Sequence, residues 1–280
     1  MKWIKIGLLL SVLWSFSLHS FQYTLSICAI FQNEAPYLKE WIDYHKGHGV
    51  EHFWLYNNNS TDDFRDRLAP YIKDGLVELI EWPSTQEEND WKNFSFTIQT
   101  GAYNDGLKRS KGVSKWLALI DTDEFIVIVN RQPINQFLER YYPHVSGLCV
   151  AWQCYGTSHI QKFPEGKMLE NLTMKMRWNH DWNKNSKSIV QPLHVAHCPN
   201  PHFCVYLPRY WAIDANYNRC DVCVSQVLID KIRLNHYWAR DESFLHDVKM
   251  ARYLKWGMDV QGILNHAERM NEEFDPILSK

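Results

Sequence analysis

Residues 117–125 read Leu-Ala-Leu-Ile-Asp-Thr-Asp-Glu-Phe, an apolar run that delivers two carboxylates one residue apart. In open α/β sheets, ligands bind beyond the carboxyl ends of the strands. Along an extended chain, residues two apart point to the same side, so Asp121 and Asp123 are expected to share one divalent cation. A bare D-x-D is common in solvated turns. Here a second apolar run, residues 125–129, follows at once, so water is not what balances the charge. The expected chemistry is that of a metal, or of a metal with a phosphate.

Such a pair needs strands to present it. Residues 24–31 (TLSICAIF), 52–56 (HFWLY), 76–80 and 116–120 (WLALI) are short apolar runs of the kind that form buried parallel strands. Between the first two, Pro36 suits a first helical turn, and Leu38, Trp41, Ile42 and His45 recur at helical spacing before Gly47 and Gly49. Asn57 to Asp63 (NNNSTDD) is a turn with a ready helix cap, followed by Phe64, Leu68 and Ile72 on one helical face. Residues 94–108 and 242–256 read as further helices. The alternation predicts an α/β fold, a mainly parallel sheet with helices on both faces. Beyond residue 150 the pattern loosens, with short apolar pieces at 147–152, 188–190, 205–207 and 227–229 among Asn, His, Pro and Trp. That irregular C-terminal half is the expected acceptor region.

Composition narrows the class. Thirty Lys+Arg against 32 Asp+Glu give a net charge of -2, which argues against a nucleic-acid or anionic-membrane binder. Forty of 280 residues are aromatic, an excess suited to a carbohydrate cleft, where Trp and Tyr offer flat apolar faces with a polar handle. Residues 1–21 read as a signal peptide or short signal anchor: Lys2 and Lys5 precede an apolar stretch from Ile6 to Leu18. Residues 22–280 then form one domain. If the leader is a true signal, the protein belongs to the secretory pathway or cell envelope with possible membrane association, and otherwise to the cytoplasm. Seven cysteines are too sparse for a disulfide scaffold. Cys198, Cys204, Cys220 and Cys223 leave a disulfide, a zinc site and buried thiols all open.

The ordered set of motifs resembles glycosyltransferase family 92 and its family-2-like relatives. It comprises Cys28 to His45 (CAIFQNEAPYLKEWIDYH), Gly49 to Asp63, WLALIDTDEF, Trp152 with Gly156-Thr157-Ser158, Lys187 to Pro192, Pro201-His202 and Asn235-His236-Tyr237-Trp238. A haloacid-dehalogenase-like phosphohydrolase also places D-x-D after an apolar strand. That family wants Thr or Val where Phe125 stands, and has its motif near the start of the domain. The resemblance implies a GT-A (Rossmann-like) fold and a hexosyltransferase-type enzyme. It would move a sugar from a nucleotide-sugar, most often a UDP-sugar, to a hydroxyl of a glycan or other acceptor, with inversion.

The same resemblance implies Mn²⁺, with Mg²⁺ as the alternative, held by Asp121, Asp123 and His236, where the cation neutralises the leaving diphosphate. Asn33, Glu34, Tyr56, Asn57, Asn59, Asp62 and Asp121 are the expected donor-side residues. Trp152, Gly156, Thr157, Ser158, Lys187 and His202 are expected in the acceptor or sugar pocket. The base is expected from Asp241 or Glu242, with Asp214 and Asp221 as further candidates. A decayed, purely carbohydrate-binding relative is the alternative of a different class.

Overall fold

A computed structural model describes residues 20–85, 90–220 and 227–279. The proposed leader up to residue 19, Asp221 and Cys223 lie outside them. Four parallel strands come first: β1 (Tyr23–Phe31), β2 (His52–Asn57), β3 (Val77–Glu81) and β4 (Ser114–Leu119), in the spatial order β3-β2-β1-β4. Their alternation decides which helix covers which face. Leu25, Ile27, Ala29 and Phe31 pack with Leu38, Trp41 and Ile42 of α1 (Ala35–Gly47) and with Phe64 and Leu68 of α2 (Phe64–Lys73). Cys28, Ile30, Trp54 and Tyr56 pack oppositely against Ile98, Ala102, Tyr103 and Leu107. Those four belong to α3, a helix of residues 91–110 that begins α-helical (Trp91–Asn93), widens to a π-helical segment (Phe94–Gln99) and returns to α (Thr100–Ser110). The core is thus a sheet sandwiched by helices, as the alternation predicts.

The second half is more regular than its sequence suggests. After β5 (Glu124–Ile128) and α4 (Ile134–Glu139), β6 (Gly147–Cys154) enters the main sheet. A minor strand β7 (Met174–Lys175) follows, and then β8 (Ser186–Val190) inserts antiparallel between β4 and β6. β9 (Val195–Asn200) and β10 (Phe203–Tyr206) form a hairpin, and β11 (Ala212–Ile213) with β12 (Arg219–Cys220) closes the edge beyond β6. β13 (Ile232–His236) lies between β5, antiparallel, and β6, parallel. Residues 227–229, one of the short apolar pieces, form no strand. Their apolar character serves packing instead: Val227 lies against Cys149, Ala151, Ala212 and Cys220.

Cys198 and Cys204 form a disulfide that staples the β9–β10 hairpin, which removes both from any zinc site. A helix of residues 242–255, α5, repeats the design of α3: α (Glu242–Phe244), π (Leu245–Met250), then α (Ala251–Lys255). α6 (Val260–Arg269) follows. No helix among the described residues is long and apolar enough to cross a membrane.

Candidate active site

Beyond the ends of β1 and β4 lies a cleft of ≈ 330 Å³. Its floor comes from Glu34, Asp121, Asp123, Lys187 and His236, and its walls from the π-helical segments of α3 and α5 and the Asn200–His202 turn. π-Helical turns recur at functional sites. Here each carries cleft residues: Phe94, Ser95, Phe96 and Gln99 on one side, Lys249 on the other.

The two carboxylates of the D-x-D both line the cleft but have different partners. The chain leaves β4 and turns, with Glu124 N–H bonded to Asp121 O at 3.1 Å, and a β-turn does not keep the two-residue alternation of a strand. Asp121 Oδ1 accepts from Gln99 (2.7 Å) and Tyr103 (2.9 Å), and its Oδ2 pairs with the Lys187 ammonium at 2.9 Å. Asp121 N–H donates to Glu124 Oε2 at 2.9 Å. Asp121 is thus braced by Gln99, Tyr103 and Lys187, while both carboxylates line the cleft in which a cation is expected. Lys187, 1% exposed, is the brace. Burial alone would lower its pKa, but Asp121 and Glu124 raise it above the usual lysine value. Glu124, fully buried, is driven well above the carboxylate range by desolvation, against the pull of Lys187.

Asp123 meets His236 from across the sequence. β13 pairs with β5 so that His236 sits opposite Glu124, one residue beyond Asp123. Tyr237 N–H donates to Asp123 O at 2.9 Å. His236 Nε2 is 3.4 Å from Asp123 Oδ1, and Lys249 Nζ is 3.5 Å from Asp123 Oδ2. Burial would raise the Asp123 carboxyl, yet His236 and Lys249 hold it well below the usual range, so it is a carboxylate at neutral pH. Lys249 has its own pKa lowered, by burial first, with Asp123 opposing. Two ligands bound at roughly 2.1 Å to one ion lie about 3 Å apart, so Asp123 and His236 fit a common cation. The Nδ1 of His236 is buried without a hydrogen-bond partner among the described residues, so no second partner fixes its tautomer against ligation. No set of three His, Cys, Asp or Glu side chains converges there among the described residues. A cation would take its other ligands from a bound phosphate and water.

Behind the turn, α1 fixes β5. Trp41 Nε1 donates to Glu124 O (2.8 Å), Tyr44 OH donates to Ile126 O (2.9 Å), and His45 Nε2 accepts from Ile126 N–H (3.3 Å). That last bond makes His45 Nδ1 the donor to Trp41 O. Burial lowers the His45 pKa to about 3, keeping it neutral as this bonding requires.

Of the donor-side expectations, only Glu34 and Asp121 line the cleft. Glu34 is ion-paired to the buried Arg240, whose guanidinium lies 3.6 Å from the Tyr37 ring centre. Desolvation raises the Glu34 pKa against that pairing. The rest knit the β1 and β2 loops together. Asn33 Oδ1 accepts from Thr61 N–H and Asn33 N–H donates to Ser60 Oγ; Asp62 Oδ2 accepts from Ala35 N–H at the start of α1. Asn57 binds Glu81 and Ser60 N–H, while Asn59 donates to Ser84 O. Asn33 and Asn59 both sit at φ 56°, a left-handed conformation that asparagine tolerates. Tyr56 is core, its hydroxyl donating to Asp105.

On the acceptor side, Trp152, Lys187 and His202 reach the cleft, with Trp152 packed between the His236 and His202 rings (centroids 4.3 and 5.2 Å). Gly156, Thr157 and Ser158 do not. They dock the C-terminal segment: a Cβ on Gly156 would lie 2.7 Å from Met270 O, Thr157 donates to Glu242, and Ser158 Oγ accepts from Thr173 and Met174 N–H. Asp241 and Glu242, expected as bases, are turned away as well. Asp241 caps α5 through Phe244 N–H, and Glu242 is held by Thr157 with His246 alongside. Asp214 closes its own turn through Asn216 and Asn218. Sequence reasoning missed Gln99, Lys249, Arg252, Tyr253 and Trp256. The last four recur at intervals of three, one and three on a helix the sequence does predict, and that spacing was the available signal.

The sequence model of Glycosyltransferase family 92 matches residues 22–258, and the chain belongs to that family. A glycosyltransferase family 92 protein of Arabidopsis thaliana is 32% identical over 183 residues, 61% of this chain and 29% of its own. A family 92 protein of Oryza sativa subsp. japonica is 26% identical over 173 residues, 61% of this chain and 27% of its own. A galactan beta-1,4-galactosyltransferase of Arabidopsis thaliana is 27% identical over 143 residues, 46% of this chain and 27% of its own. The matches thus span less than a third of those relatives' length. Among solved structures, Staphylococcus aureus TarS (residues 1–349) matches at TM-score 0.43 and 12% identity, covering 85% of this chain and 68% of that one.

Proposed function

We infer that the protein is a metal-dependent glycosyltransferase of GT-A type, transferring a hexose from a UDP-sugar to a glycan hydroxyl with inversion. One observation carries the reading: Asp123 and His236, 113 residues apart in sequence, converge at 3.4 Å in a cleft at the carboxyl edge of a parallel sheet. A cation held there, Mn²⁺ or Mg²⁺, supplies charge to the departing diphosphate. The protein keeps Asp123 ionised, orients His236 against Trp152, and braces the turn through Asp121, Lys187, Gln99 and Tyr103. Aromatic faces at the mouth, Trp91, Phe94, Phe96 and Trp256, suit a sugar acceptor.

Inversion needs a base at the acceptor hydroxyl, and His202 takes that role in this reading. Its Nδ1 lies 3.0 Å from Ser186 O, which can only accept, so Nδ1 carries the proton and Nε2 is free to take another. Burial lowers its pKa to about 4, leaving it neutral at pH 7. The disulfide beside it fits an oxidising compartment, in line with the leader. Titration calorimetry of UDP with and without Mn²⁺ tests the function. Metal-dependent UDP binding supports it, and UDP binding indifferent to Mn²⁺ and Mg²⁺ sinks it.

A further inference from the structure

Asp123 presents two oxygens to two partners of different chemistry. The imidazole of His236 can turn from hydrogen-bond partner to co-ligand, because a neutral ring nitrogen has a lone pair. The ammonium of Lys249 cannot, because it has three donors and no acceptor. Its nitrogen stands 3.5 Å from Asp123 Oδ2, so an ion bound to that carboxylate would meet a like charge at close range. A divalent cation settling on Asp123 therefore favours the withdrawal of Lys249. Lys249 has the means to do so: its side chain is a flexible four-carbon stem, and it lines the same cleft as Arg252, three residues on.

We propose that Lys249 is an exchangeable counter-ion, neutralising Asp123 while the cation is absent and moving onto the donor's diphosphate when the cation arrives. The proposal rests on the metal-dependent reading of the site. Charge conservation gives it direction. The arriving cation takes over the compensation of Asp123, and the released ammonium meets the negative charge that grows on the diphosphate as the glycosidic bond breaks. Lys249 then gives more to the leaving group than to the intact donor, as transition-state stabilisation demands. Arg252, one helical turn further, is the second cation in reach of the same phosphates.

The test uses the full chain and the variants Lys249→Met, Lys249→Gln and Lys249→Arg, each first shown by thermal melt to fold. Mn²⁺ binding alone is read from the loss of the free-ion electron paramagnetic resonance signal. UDP and UMP binding are read by calorimetry at saturating Mn²⁺. The neutral variants should bind Mn²⁺ alone more tightly, by about tenfold, and UDP more weakly, by about tenfold, the weight of one charge-assisted hydrogen bond. UMP, without the second phosphate, should lose less, and Lys249→Arg should retain UDP. Unchanged or weaker Mn²⁺ binding in both neutral variants overturns the exchange, as does unchanged UDP affinity. A wild-type protein that binds neither Mn²⁺ nor UDP overturns the function reading itself, which separates the two failures.

Discussion

Two clusters of polar side chains follow the strands at the same edge of the sheet. In the loops after β1 and β2, Asn33, Asn57, Asn59, Ser60 and Asp62 satisfy one another and the nearby backbone. In the cleft, Asp123 is buried against two nitrogen groups at 3.4 and 3.5 Å, longer than good hydrogen bonds, and His236 Nδ1 has no partner among the described residues. The first cluster works as a clamp, although Asp62 Oδ1 is buried there without a partner among the described residues. The second has the loose, charge-rich arrangement that a ligand completes. Position beyond a strand is shared by both, so position alone does not mark a site. What marks it is the convergence of Asp123, His236 and Lys249 in one cleft.

Substitution of Asp123 by Asn separates the clusters most sharply. It should weaken Mn²⁺-dependent UDP binding by about 100-fold, the scale of a lost or disturbed metal ligand, with the melting temperature little changed. UDP affinity equal to wild type in calorimetry would break the comparison. Next comes His202→Gln, which should lower kcat by about 100-fold, the scale of general-base catalysis, with UDP affinity kept. A fall in UDP affinity with kcat intact would place His202 on the donor side instead.

The clamp residues should behave in the opposite way. Gly156→Ala drives a methyl group toward Met270 O and should destabilise by about 1–3 kcal/mol, the range for overpacking. Denaturant melts read this directly, and unchanged stability would return Gly156 to the candidate pocket. Asp62→Ala removes the acceptor for Ala35 N–H and should cost about 1 kcal/mol with Mn²⁺–UDP affinity unchanged.

A pH dependence sharpens the comparison from the side of stability. His45 and His202 have folded-state pKa values lowered to about 3 and about 4 by burial, against about 6.5 when unfolded. Between these values the unfolded chain binds more protons, so stability falls as pH drops below about 6.5. His45→Gln should flatten the loss of melting temperature between pH 6 and 4. An unchanged slope would mean that other groups carry the acid response.

The elements legible in the sequence are those with a strong local pattern. The strand runs at 24–31, 52–56, 76–80 and 116–120 and the helices at 94–108 and 242–256 all appear within a few residues. Local pattern also brings Asp123 to a sheet edge, while the match of His236 to a family motif brings it within 3.4 Å of Asp123. The bracing of Asp121 by Gln99, Tyr103 and Lys187 was not legible, because those partners come from other elements and the turn closed by Glu124 N–H breaks the strand alternation. Nor was β8's antiparallel insertion between β4 and β6, since a short strand's neighbours are set by tertiary pairing rather than by its own residues. Loop amides such as Asn57 and Asn59 have the same composition whether they bind a nucleotide or one another, and only their partners distinguish the two.

The paired π-turns of α3 and α5 bear on how this fold tolerates change in chain length. A π-turn accommodates one residue more than an α-turn, so losing one residue between Leu245 and Met250 would leave a regular α-helix that still folds. Each α-helical residue advances about 100° around the axis. With the start of α5 pinned by Asp241 and Glu242, the deletion would close the bulge and leave Arg252, Tyr253 and Trp256 nearly in phase with the cleft. A single-codon deletion there would alter the cleft only where the π-turn itself lines it, at Lys249.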